Sequence, residues 1–151
     1  MPKPSPASST TCECFRYREQ LSCPLSSEND LASRNPGEAY ERARRVFEVK
    51  PGASKEAYPL ATLGMAQYQT GHYEDAIESF RSAIEAEERG QRAFAPLSLF
   101  TAMSHWQAGQ AEAARQWYER AMVERRQSDW AFAECFVEAE DMIGSSGLDP
   151  P

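Results

Sequence analysis

Gly71 is followed 38 positions later by Gly109, and the residues around each form the same pattern. The first copy carries Leu63, Gly64, Tyr68, Gly71, Tyr73, Ala76, Phe80 and Ala83. The second carries Ala102, Trp106, Gly109, Ala111, Ala114, Tyr118 and Ala121. In both, small and aromatic residues at helical spacing flank a glycine, the residue type that closes a helix and turns the chain. Repetition at such a period predicts stacked helical pairs, none of which can bury its apolar flank alone. The fold class that follows is all-α: a short right-handed solenoid of antiparallel helical hairpins. Arrays of this kind usually bind partners rather than catalyse.

The rest of the chain divides around that repeat. Residues 1–35 form a mostly disordered or irregular extension, because the first fourteen are rich in Pro, Ser and Thr and offer little to bury. Residues 15–21 suit a short helix that Pro24 would stop. Order is predicted to begin at Asn35, a capping residue, with Pro36 in the first helical position and Glu38 near the positive end of the helix dipole. A repeat domain then spans 36–143. It holds a partial repeat at 36–52, a full repeat at 57–88, a second at 95–126, and a capping helix at 129–143. Glycine at position 64 lets the partner helix approach closely. Ala76, Ile77, Phe80, Ala83 and Ile84 are the buried residues predicted in the first unit. Ala114, Trp117, Tyr118, Ala121 and Met122 are those predicted in the second. Arg125 and Arg126 fall in the last helical turn, where positive charge suits the dipole. Ser128 or Asp129 caps the final helix, whose stripe of Phe132, Phe136, Ala139 and Ile143 closes the array. Residues 144–151 form a flexible tail.

These residues resemble the tetratricopeptide repeat family. Leu60, Leu63, Gly64, Tyr68, Gly71, Tyr73, Ala76, Phe80 and Ala83 match most of its defining positions. The second unit departs from the pattern at Ser98 and Thr101, where the family has large apolar residues. The linkers exceed the family's ~34-residue period. The arrangement, with Ala102, Met103, Ser104, His105 and Trp106, is also similar to repeat tails of large bacterial signalling proteins. No kinase motif occurs in this chain, so kinase activity does not transfer with that likeness.

The resemblance implies a concave groove lined by the first helix of each repeat. Its positions are Ala61, Met65, Tyr68 and Gln69 in the first unit and Leu99, Met103, Trp106 and Gln107 in the second. Methionines and aromatics suit an adaptable apolar surface that takes a peptide or helix; ordinary packing between repeats is the competing explanation. Family members that clamp a chaperone's terminal carboxylate place Lys and Asn on these positions. Ala61, Met65, Leu99 and Met103 offer no such cation. The expected function is a non-enzymatic interaction scaffold for a protein or peptide partner. The alternative is a self-association module, a homodimer pairing through Val46, Phe47 and Val49 of the first repeat helix.

Charge and composition narrow the partner classes. The net charge of −7 opposes nucleic-acid binding, and Arg42, Arg44 and Arg45 read as a solvated helix face. No apolar run is long enough for a membrane span, and no secretory signal is visible, so a cytoplasmic location is expected. Cys12, Cys14 and Cys23 lack the paired spacing of a zinc site, so neither a metal nor another cofactor is predicted. Free thiols are the expected state of the cysteines, with Cys135 as a small buried hydrophobe. His72 is expected at the surface and His105 packed within a helix. Neither has a catalytic neighbour, and no nucleophile elbow, phosphate loop or zinc-protease motif occurs. No enzyme activity is predicted.

Overall fold

Asn35 opens the first helix in the way its residue type predicts. Its side-chain oxygen accepts a hydrogen bond from the Glu38 amide at 3.2 Å, and Pro36 sits in the first turn, where a missing N–H costs nothing. This is helix α1, Pro36–Val49. In the computed structural model the described residues are 35–91 and 96–144. The expectations for residues 1–34, including Cys12, Cys14 and Cys23, and for 145–151 lie outside them.

A 3₁₀ turn at Ala53–Lys55 leads into α2, Ala57–Gln69, which pairs with α3, Tyr73–Glu88. The second hairpin is α4, Leu97–Gln107, with α5, Ala111–Glu124. Each helix packs chiefly on its neighbours in sequence: α1 on α2, α2 on α3, α3 on α4 and α4 on α5. Among the described residues there is no strand. The architecture is an all-α solenoid of helical hairpins, in agreement with the sequence.

The two turns are built alike, bond for bond. The His72 amide donates to the Gln67 carbonyl at 2.9 Å and the Gly71 amide to that of Tyr68 at 3.2 Å. At residues 38 positions later, the Gln110 amide donates to His105 at 2.9 Å and the Gly109 amide to Trp106 at 3.0 Å. Both close the carbonyls that a helix C-terminus leaves unpaired. Both need a left-handed residue, and Gly71 and Gly109 take φ of 82° and 80°.

Between the helices of the first hairpin, Gly64 does what its missing side chain allows. A Cβ there would lie 2.8 Å from Cδ1 and Cε1 of Phe80, so the ring of a fully buried phenylalanine fills that space. Phe80 continues the core by stacking on Phe100 of α4 at 5.9 Å, and Phe100 meets Phe132 edge-on at 5.9 Å. One aromatic row thus joins both hairpins to the closing segment.

That closing segment differs from the single helix expected. It winds as a 3₁₀ stretch at Gln127–Phe132, a short helix α6 at Ala133–Ala139, and a π turn at Glu140–Gly144. Phe132, Phe136, Ala139 and Ile143 are all buried, so the predicted stripe holds although the pitch changes. The end of α5 also departs from expectation. The helix stops at Glu124, so Arg125 and Arg126 lie beyond its last turn. Their charge is used elsewhere: the Arg125 guanidinium sits over the Phe136 ring at 4.4 Å, and Arg126 meets Glu87 at 4.0 Å. On α5 only Ala114 and Ala121 are buried, whereas Trp117 and Tyr118 are half-buried and Met122 is exposed. A short, irregular segment covers α5 less completely than a full repeat would.

Candidate functional site

The first helices of the two hairpins are more buried than the helices they pair with. None of the 13 residues of α2 and none of the 11 of α4 is exposed. Their partners behave as amphipathic surface helices do: α3 turns Glu74, Glu78, Arg81 and Glu85 outward, and α5 turns Glu112, Arg115 and Glu119 outward.

Burial around α4 is compatible with its polar residues because each finds a bond. Thr101 Oγ1 donates to the Leu97 carbonyl and Ser104 Oγ to that of Phe100, both at 2.8 Å. Ser98 Oγ donates to a Glu124 carboxylate oxygen at 2.6 Å. The two residues that depart from the family pattern, Ser98 and Thr101, are thus accommodated by hydrogen bonds, Thr101 within α4 and Ser98 across to the end of α5. His105 is buried, with Nδ1 2.6 Å from Gln110 Oε1 and Nε2 unpaired. In α2 the equivalent position is Gln67, whose Oε1 accepts from Ser79 at 2.6 Å across the hairpin.

The groove positions expected from the sequence fall into two groups. Ala61, Met65, Tyr68, Leu99 and Met103 are buried within one apolar cluster. Trp106 is buried in a second, with Ala102, Ala114 and Ile143. Gln69 and Gln107 are half-buried, yet both the nitrogen and the oxygen of the Gln69 amide are shut off from solvent with no hydrogen bond. A buried, unpaired amide costs on the order of 1–3 kcal/mol.

Two features have no signal in the local sequence. Gln91, which by pattern only breaks the repeat, caps the first hairpin from outside. Its Oε1 accepts from the Ala57 amide at 2.9 Å and its Nε2 donates to the Lys55 carbonyl at 3.1 Å. The start of α2 has no cap of its own, so a long-range residue supplies one. The second feature is a cleft of about 340 Å³ between the ends of α3, α4 and α5. Arg120 crosses it, reaching Glu124 at 2.6 Å and Glu88 at 3.5 Å. Its guanidinium pKa is raised first by the hydrogen bond to Glu124. The cleft's charges already answer one another.

The remaining candidates are quickly placed. His72 is exposed and stacks on Tyr40 of α1 at 5.2 Å, with Nδ1 2.7 Å from Thr70 Oγ1. On α1, Arg42 pairs with Glu38 at 4.0 Å and Arg44 with Glu41 at 3.6 Å, so those charges are balanced along one helix. Cys135 is fully buried as expected, but it is disulfide-bonded, which overturns the free thiol predicted there. Among the described residues no helix is long and apolar enough to cross a membrane.

Comparison with protein families matches residues 57–89 to the model of the tetratricopeptide repeat. Comparison with curated proteins and with solved structures finds no match. The matched segment contains α2, its Gly71 turn, α3 and the Gly64–Phe80 contact between them. This chain therefore carries a tetratricopeptide repeat, set within an all-α stack of helical hairpins.

Proposed function

We propose that the chain is a non-enzymatic scaffold that takes an apolar peptide or helix along the face of α2 and α4 around Met65 and Met103. Tetratricopeptide repeats generally mediate protein–protein interactions, and that is the function class the family match supplies. The observation that carries the finer reading is the side chains that α2 and α4 devote to this face. Met65, Tyr68, Leu99 and Met103 are the soft apolar side chains of these two helices, buried in one cluster in the unbound chain, and the Gln69 amide on the same helix lacks a partner. A peptide laid there buries its own apolar residues and satisfies that amide.

The test works with the partner unidentified. A displayed random-peptide library is panned on the full chain, and enriched peptides are titrated by calorimetry. Binding should weaken at least tenfold in Met65→Glu and in the milder Gln69→Lys, and stay unchanged in Arg81→Glu on the outer surface of α3. Helicity by circular dichroism qualifies each variant. No enrichment, or peptides indifferent to both face variants, refutes the reading.

The self-association alternative rests on α1. There Phe47 packs against the main core, which leaves Val49 as the strongly exposed apolar residue of that helix. Sedimentation across a concentration series decides it: a dimer abolished by Val49→Asp supports pairing, and a monomer throughout removes it.

A further inference from the structure

We infer that the two ends of the helical stack complement each other, so that α1 of one copy docks on the closing segment of the next and continues the solenoid. The inference deepens the self-association alternative by giving α1 an unlike counterpart. It does not draw on the α2–α4 face.

The helices in the middle of the stack, α2, α3 and α4, each pack between two others. The ends differ. Among the described elements α1 packs on α2 and on the 3₁₀ turn that follows it. At the far end, α6 and the π turn pack on α4 and α5. Each end therefore keeps one flank turned away from the array. A solenoid that stops there presents a polar outer surface.

Neither end obeys that rule. The large apolar residues exposed among the described ones are Val49 on α1 and, toward the other end, Met122, Val123, Trp130 and Val137. Val49 is 72% exposed, Trp130 59% and Val137 58%. Their spacing gathers them with charges. Arg42, Arg45 and Val49 follow one another at helical steps along one exposed flank of α1, with Val46 half-buried beside them. Glu134 and Val137 share an exposed flank of α6, and Trp130 stands about one turn before them.

Charge selects the counterpart. From 127 to 144 the chain carries Asp129, Glu134, Glu138, Glu140 and Asp141 and no basic residue, so two closing segments repel one another. α1 carries Arg42, Arg44 and Arg45. The first two have exposed partners on the same helix, at 4.0 and 3.6 Å, and Arg45 makes no ion pair among the described residues. A guanidinium beside an apolar flank at one end thus answers a carboxylate beside an apolar flank at the other. Because the two surfaces are unlike, the contact is heterologous and adds copies head to tail. Flanks of single helices bury less area than a standard interface, so the association is weak and forms at high protein concentration.

Mixing two full-length variants in the ultracentrifuge tests this. Val49→Asp damages the α1 end and Val137→Asp the closing end, both at exposed positions. The wild type should grow past a dimer as its concentration rises. Each variant alone should associate at least tenfold more weakly. An equal mixture should form a dimer and stop there, because one variant supplies an intact α1 and the other an intact closing segment. Should either lose helicity by circular dichroism, Arg45→Glu and Glu134→Arg take their place, and these too should associate only when mixed. A wild type that stays monomeric overturns the inference and the self-association alternative together. Association kept in Val137→Asp and lost in Val49→Asp overturns the inference alone and leaves α1 pairing with itself. Helical variants that fail to associate on mixing overturn it as well.

Discussion

The two hairpins share their turns and differ in what they place between their helices. In the first, Gly64 admits the fully buried ring of Phe80 against the α2 backbone. In the second, the corresponding pair is Ala102 and Tyr118, and the tyrosine is only half-buried. The turn bonds are the same in both, at Gly71 and at Gly109. The hairpin path is therefore set by a left-handed glycine and small contact residues, while the filling is free to vary. The second hairpin offsets its thinner contact by burying all of α4 but Gln107 and by passing Phe100 into the row from Phe80 to Phe132. The unit that keeps the glycine–phenylalanine pair, at 57–89, is the one the family model matches.

That contrast can be broken most strongly at the aromatic pair. Phe80→Ala should cost about 3–5 kcal/mol in urea denaturation, as for other fully buried aromatics. Tyr118→Ala should cost less than half as much. Equal losses would show that the hairpins are filled alike. Next comes the contact itself. Gly64→Ala should destabilise by about 1–3 kcal/mol, because its Cβ would meet the Phe80 ring at 2.8 Å. The reverse change, Ala102→Gly, should cost about 1 kcal/mol through helix propensity, with a further loss from the buried methyl it removes. A neutral Gly64→Ala would mean that the ring gives way freely.

Two smaller effects sharpen the shared part. Gly71→Ala and Gly109→Ala should each cost about 1 kcal/mol, and the same amount, because both adopt φ near 80° in open space. Unequal costs would show that the turns differ in a way their bonds do not reveal. The smallest effect is ionic. Tyr118 has its pKa raised, first by burial, then by Glu140, with Arg125 opposing. A raised folded pKa means that the neutral phenol is favoured by the fold. Its contribution is complete below the ordinary tyrosine pKa of about 10 and is lost as pH climbs through the folded value. Ultraviolet titration should show one tyrosine ionising late, absent in Tyr118→Phe.

Much of this is legible in the sequence because it is local. Asn35 with Pro36, Gly71, Gly109, and the Gly64 to Phe80 spacing each dictate a structure within a few turns. What is not legible is long-range. Gln91 reaches 34 positions back to cap Ala57, and nothing around it predicts that. Arg125 and Arg126 suit a helix dipole by position, but a ring and a carboxylate on other elements hold them. The pitch changes after Glu124 follow from packing a short closing segment over α4 and α5, which periodicity cannot distinguish from one helix. The groove positions fall on the helices expected, but their burial comes from packing between helices and has no local signature.

The central claim is that the face of α2 and α4, rather than the outer helices, receives the partner. Methyl-labelled methionine NMR tests it most directly, with Met65 and Met103 on the face and Met122 off it. Adding a peptide selected on the full chain should shift the Met65 and Met103 signals and leave Met122 in place. Shifts confined to Met122, with Met65 and Met103 unmoved at saturation, would contradict it.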